Sequence, residues 1–194
     1  MAIYHNNKKI VKIYHGNILI TRSYHGGILI YKEFNILDYN LLTNCDLLID
    51  SNSDNVPDGF VYNNATDISL TNGIVKFTAT AQFGRIVTIS TSAFNTTDLF
   101  YSYARVKADS NQVKLSATTT HSGSGEFEFL SVCRVFDIGV NYVVHISDFR
   151  SSGWTPIEVD YIGAINITDL VSRGILPQGL TNAQYKEMLD SLIQ

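Results

Sequence analysis

Charge is scarce in this 194-residue chain: Asp, Glu, Lys and Arg together make up 16%, against roughly 25% in ordinary soluble domains. Uncharged polar groups must therefore cover its surface, and Asn, Ser, Thr and Tyr are abundant. Cysteine is rarer still. Cys45 and Cys133 stand far apart with no companion at metal-ligand spacing, which argues against a disulfide-stapled scaffold or a zinc ribbon. Both are expected to be reduced and structural. No apolar run approaches the roughly 18 residues that a membrane-spanning helix needs, and the start, MAIYHNNKK, lacks the apolar core of a secretory signal. A soluble protein made in a cytoplasm is expected, without membrane insertion.

Catalytic signatures are missing as well. The chain contains no Gly-x-Ser-x-Gly elbow, His-Glu-x-x-His pair, phosphate-binding Gly-Lys-Ser or Gly-Lys-Thr, or dinucleotide fingerprint. HSGSGE (121–126) is glycine-rich but lies between two expected strands, so it lacks the following helix whose N-terminus would hold phosphate. A hairpin loop is the plainer reading. With no nucleophile-base or two-carboxylate pattern either, no enzyme is expected. The net charge of -4 is uneven: Lys8, Lys9, Lys12, Arg22 and Lys32 against Glu33 give residues 1–34 a balance of +4, leaving -8 for the remainder. No basic helix or aromatic-basic cluster accompanies that excess, so nucleic acid is not an expected partner.

What the chain does have is a repeat. Tyr4-His5, Tyr14-His15 and Tyr24-His25 recur every ten residues, followed by Asn-Asn, Gly-Asn and Gly-Gly and then by apolar runs. These dipeptides tolerate positive φ, as a tight hairpin turn requires, so residues 1–37 are expected to form a β-meander of ten-residue repeats. Few bare strands are stable in water, and open edges and apolar faces invite pairing with other chains. Tyr4, Ile10, Ile13, Tyr14, Ile18, Ile20, Tyr24, Ile28 and Ile30 are therefore the candidate assembly interface. His5, His15 and His25 at equivalent positions raise a metal site, but each lies beside a turn, where a ring can simply cap the backbone.

From about residue 38 to 170 short alternating runs separated by turn signals point to an antiparallel β-sandwich. Strands are expected near residues 75–80, 85–91, 99–107, 112–119, 127–136, 142–149 and 157–165, with Val75, Phe77, Val113, Leu115, Phe127 and Phe129 buried between two sheets. Residues 171–194 form a loop and a helix: Thr181 and Gln184 make a capping box, and Tyr185, Met188, Leu189 and Leu192 share one face. That stripe must dock on its own sandwich or on a neighbouring subunit. The expected fold class is thus mainly β, a repeat head followed by a sandwich and a short C-terminal α-helix.

NLLTNCDLLID (40–50), LTNGIVKFTATAQFGRI (70–86), YSYARVKA (101–108) and FRSSGWTPIEVDYIGAINITDL (149–170) resemble the jelly-roll module of tail and fibre proteins of tailed bacteriophages. That module is similar in turn to galactose-binding-like carbohydrate-binding modules. The usual opening of those modules has Gly and an aromatic where this chain has Cys45 and Leu47. The N-terminal repeat resembles those at the ends of structural proteins of gut phages, including the crAss-like group. The resemblance implies a virion component attached through its head to other virion proteins and to copies of itself. The alternative is a receptor-binding module for host surface glycan. It also implies a structural calcium near Asp46 and Asp160, since calcium takes six to eight oxygens, although an Asp at a strand end is more commonly a turn former.

Glycan recognition needs flat aromatic faces and fixed polar groups. Trp154, the only Trp, stands beside Arg150 in the polar loop FRSSGWTP, and Tyr101, Tyr103 and Tyr142 could add a face. The plainer reading has Trp154 covering one end of the core.

Overall fold

The computed structural model describes the strand backbones between Tyr4 and Lys32 and residues 36–42, 46–88, 97–135 and 144–193. Two units are present, Met1–Asp38 and Tyr39–Gln194.

In the first unit, β1 (Tyr4–His5) pairs with β2 (Lys8–Lys9), β3 (Ile13–His15) with β4 (Ile18–Ile20), and β5 (Arg22–His25) with β6 (Ile28–Lys32). Each repeated His is the last paired residue of its strand, opposite Lys8, Ile18 or Ile28. Each pair is a two-stranded sheet of its own, so the described strands form three hairpins where a continuous meander was expected. The physical reason is that turn dipeptides fix pairing within a repeat and carry no instruction for pairing between repeats. Of the candidate interface, Tyr4, Ile13, Tyr14, Ile18, Ile20, Tyr24, Ile28 and Ile30 lie in these strands. Their side chains, and Ile10 altogether, fall outside the described residues.

The second unit contains β7 (Phe60–Asn63), β8 (Ala65–Thr71), β9 (Ile74–Ala79), β10 (Gly84–Thr88), β11 (Leu99–Lys107), β12 (Val113–Leu115), β13 (Thr119–Thr120), β14 (Phe127–Val135), β15 (His145–Asp148) and β16 (Ile157–Asn166). A first sheet has the order β13-β12-β15-β10-β7 and a second the order β14-β11-β16-β9-β8. From β9 onward the chain passes back and forth between the sheets, the jelly-roll pattern. Turn chemistry is visible at β8–β9, where Asn72 and Gly73 both take positive φ, 52° and 76°, and let Thr71 pair directly with Ile74.

Alternation then decides what is buried. Val75 and Phe77 of β9, Phe100, Ala104 and Val106 of β11, and Ile157, Val159 and Ile162 of β16 are all buried, and they meet Ile86, Val113, Leu115 and Ile146 of the first sheet. Four of the six expected core residues are among them. Phe127 and Phe129 are not. β14 pairs with Ala104 opposite Leu130 and Arg105 opposite Phe129, so Leu130 joins the core while both phenylalanines lie with Arg105 on the outer face. A one-residue change of register exchanges the faces of a strand, and FEFLSV (127–132) is apolar enough in both registers to hide the choice.

Two helices close the chain. Asn166 caps α1 (Ile167–Ser172), accepting from the Asp169 amide at 2.9 Å. At α2 (Asn182–Ile193) the expected box forms, with the Gln184 amide donating to Thr181 Oγ1 at 3.3 Å and the Thr181 amide to Gln184 Oε1 at 2.9 Å. Tyr185 and Leu189 are buried, whereas Leu192 is exposed.

Candidate functional site

The outer face of the second sheet gathers most of the described aromatic contacts. Residues of β11 that do not enter the core, Tyr101, Tyr103, Arg105 and Lys107, run between outward residues of β14 and β16. Tyr103 stands opposite Ser131 and Gly163, and Arg105 opposite Phe129 and Tyr161. Gly163 is needed for close approach: a Cβ there would come within 2.6 Å of Tyr103 Cε1. The ring lies flat over the missing side chain, and its hydroxyl accepts from Asn40 Nδ2 at 3.0 Å. Asn40 Oδ1 in turn accepts from the Ala164 amide at 3.1 Å, which ties the ring to β16.

Around Tyr103 the rings are continuous. Tyr101 stacks on it at 5.6 Å, Phe129 at 6.3 Å, and Tyr161 lies tilted at 6.2 Å from Tyr103 and 6.5 Å from Phe129. Phe127 continues the face beneath two cations, Arg105 at 4.8 Å and Lys107 at 5.8 Å from its ring centre. Phe127, Phe129 and Tyr161 are half-buried, so their rings are in reach of a ligand. Ionic groups border them: Arg105 with Asp160 at 2.5 Å, and Lys107 and Lys76 with Glu158 at 3.5 and 3.8 Å. A bulge produces the first pair. The ladder shifts between Arg105 and Val106 so that Asp160 is the extra residue of β16, and a bulge re-aims a side chain in this way. Burial raises the Tyr161 hydroxyl's pKa, with Arg105 opposing and Asp160 assisting.

One end of this face is covered by α2. Asp190 accepts from the Tyr101 hydroxyl at 2.7 Å, from Ser131 Oγ at 2.6 Å and from Lys186 at 2.7 Å. Burial alone would raise the pKa of Asp190, but the donors Lys186, Ser131 and Tyr101 outweigh it and hold the carboxyl below its ordinary value. The same carboxylate, after burial, raises the pKa of Tyr101. Cys133, beside Tyr101 on the neighbouring strand, is a free thiol pushed up to about 12, by burial first and Asp190 second.

The sequence-derived glycan residues fall into two pairs rather than one site. Tyr101 and Tyr103 are buried members of the face just described. Trp154 and Arg150 occupy the loop before β16, about 20 to 25 Å away at ~3.3 Å per strand residue. Arg150 is committed there: its guanidinium clasps buried Asp148 at 2.6 Å and donates to Thr155 Oγ1 at 2.8 Å. Trp154 Nε1 donates to the Arg150 carbonyl at 3.2 Å. Tyr142 lies outside the described residues, as do the side chains of His5, His15 and His25. Asp46 is exposed and its carbonyl lines the space beside Gly73, while Asp160 is held by Arg105. Among the described residues no three His, Cys, Asp or Glu side chains converge, and the Asp160 carboxylate is engaged by the Arg105 guanidinium. At HSGSGE, Glu128 of the following β14 accepts from Ser124 Oγ at 2.7 Å and from the Ser122 amide at 2.9 Å, and His121 Nδ1 accepts from the Gly123 amide at 2.9 Å. That loop is closed upon itself.

Sequence reasoning missed Phe127, Phe129, Tyr161, Arg105 and Lys107 as surface residues. The available signal was the polar alternation of Arg105 and Lys107 around Val106 on the adjacent strand, which fixes the outward face once the pairing is known.

No protein-family model matches the chain, and no curated protein matches it. Solved structures similar to it include carbohydrate-binding modules. One is a family 29 module with 15% identity, a TM-score of 0.41, and coverage of 57% of this chain and 80% of that one. A family 29 variant complexed with cellulohexaose has 14% identity, a TM-score of 0.40, and coverage of 57% and 82%. A family 29 module from Piromyces equi has 18% identity, a TM-score of 0.40, and coverage of 61% and 90%.

Proposed function

We propose that the sandwich is a non-catalytic carbohydrate-recognition module that binds its glycan on the outer face of the second sheet. The observation that carries this reading is the run of half-buried Phe129, Tyr161 and Phe127, supported by buried Tyr103 and bordered by Arg105, Lys107, Glu158 and Asp160. Sugar rings present apolar C–H faces to aromatic rings and hydroxyls to fixed polar groups, and this surface supplies both. The full chain, applied to an array of bacterial surface glycans, should retain at least one class, and Phe129→Ala should weaken that binding about tenfold. Retention of no glycan, or unchanged binding by the variant, refutes the reading.

The setting we propose is a bacteriophage virion, with the N-terminal hairpins attaching the module to other virion proteins or to copies of itself. Its support is the sequence resemblance and the small size of each two-stranded unit, which calls for a covering partner. A chain shortened to begin near residue 38 should lose incorporation into particles. Normal incorporation would reduce the head to a covering flap.

A further inference from the structure

The aromatic face of the second sheet is closed at one end, and that closure bears on which part of a glycan it can take. Phe127 and Phe129 follow one another along β14, and the next residue on the same side of the strand is Ser131, about 7 Å beyond Phe129. There α2 packs against β14, and Asp190 accepts from Ser131 Oγ at 2.6 Å and from the Tyr101 hydroxyl at 2.7 Å. Tyr101, whose ring continues the row beyond Tyr103, is buried. At the other end β14 begins at Phe127 from a loop whose Ser124 and Glu126 are exposed, so solvent reaches the face there.

The core does not need α2 for its completion. The buried cluster between the sheets is made of sandwich residues alone, and Tyr185 and Leu189, the buried residues of α2, are not among them. What α2 adds to the face is polar. Lys186 Nζ donates to Asp190 Oδ2 at 2.7 Å, while its side chain stays 42% exposed. An ammonium carries three donors, so two remain beside this bond. One carboxylate thus ties a ring of the row, a serine of β14 and an ammonium into a single network, which holds the ammonium where the accessible rings stop.

We propose that α2 is the end wall of the glycan site and that Lys186 is its specificity-determining contact, so that the module takes the ends of glycan chains and not their interiors. This rests on the reading of the aromatic face as the glycan site. A chain laid along Phe127 and Phe129 cannot continue past α2. Its terminal sugar stops against the helix, stacks on Phe129 and offers hydroxyl oxygens, which accept as well as donate, to Lys186. A few fixed polar groups are what orients a ligand on an apolar surface. Because the chain enters from the Phe127 end, only its last sugars touch the face, and further length adds no contact.

The full chain would be bound to the array glycan it retains most strongly and displaced with two soluble preparations of that same glycan, a hexasaccharide and a fragment about ten times longer. At equal sugar mass the hexasaccharide carries about ten times more ends and should displace the protein about tenfold better. Equal displacement at equal mass would mean that chain interiors are bound, overturning the end wall alone. Lys186→Gln should weaken the hexasaccharide about tenfold, with the urea midpoint and the rate of Cys133 alkylation unchanged, which separates a lost contact from a loosened helix. Undiminished affinity in that variant would remove Lys186 from the site. Retention of no array glycan, or binding that survives Phe129→Ala, would refute the proposed function and this inference with it.

Discussion

Replacing Gly163 by Ala tests whether the aromatic face is as tightly made as the contacts imply. Gly163 sits within β16 opposite Tyr103, and its conformation is one any residue adopts, so glycine is required by space alone. The new methyl would meet Tyr103 Cε1 at 2.6 Å with the hydroxyl end closer still. The flexible end of a side chain could yield, but this ring is 2% exposed, flanked by Tyr101, Phe129 and Tyr161, and anchored by Asn40. Overpacking costs about 1 to 3 kcal/mol, and loss of the Asn40 hydrogen bond about 1 kcal/mol more. Urea denaturation should therefore show a loss of about 2 to 4 kcal/mol with an unchanged slope. The near-UV circular dichroism of the tyrosines should change as well.

The double variant separates this cause from others. Tyr103→Ala removes the ring the methyl strikes, so Gly163→Ala added to it should cost much less than it does alone, an interaction of about 1 to 3 kcal/mol. A Gly163→Ala protein within 0.5 kcal/mol of the parent, or strictly additive behaviour, would show that Tyr103 is free to move and that the face is softer than described.

Two further outcomes concern protonation. Burial, then Arg85 and Arg134, lower His145 from 6.5 to about 4; the unfolded chain binds the proton more readily, so stability is fully present above pH 6.5 and falls between 6.5 and 4, by at most about 3 kcal/mol, and denaturant titrations across that range should show a slope that His145→Phe abolishes. Asp190 is depressed, so its contribution is present above its ordinary value of 3.8 and fades as pH falls through the lower folded value. Asp190→Asn at pH 7 should accordingly weaken the docking of α2 and speed alkylation of Cys133 in a Cys45→Ser background, whereas an unchanged rate would mean that the helix is held by Leu189 and Tyr185 alone.

The sandwich was largely legible because period-two alternation is strong on β9, β11 and β16, and because Asn72-Gly73 announces its turn. The capping box at Thr181 likewise states where α2 begins, since both of its hydrogen bonds are local. β7 and β8 were missed: Val61-Tyr62 and Ile68-Ser69-Leu70 are short runs among Asn, Asp and Ser, and cross-strand partners rather than local preference keep them extended. The candidate site was the least legible part. Its rings come from β11, β14 and β16, three strands separated by up to 60 residues, and a single register decides whether Phe127 and Phe129 join the core or the surface. Tyr101 and Tyr103 were expected as possible glycan contacts; both are buried, under contacts with Asp190 of α2 and with Asn40 that no local pattern reveals.

The charges of the aromatic face are arranged in pairs, and that bears on what it can bind. On the second sheet every described cation of the face has a carboxylate within 4 Å: Arg105 meets Asp160, while Lys107 and Lys76 meet Glu158. Exposed pairs of this kind contribute little to stability, yet they keep the surface near neutrality and hold both donors and acceptors in place, which suits hydroxyl-rich neutral sugars. Raising the salt concentration should accordingly leave glycan binding on this face almost unchanged, because paired charges present little net charge to screen and stacking on aromatic rings is almost untouched.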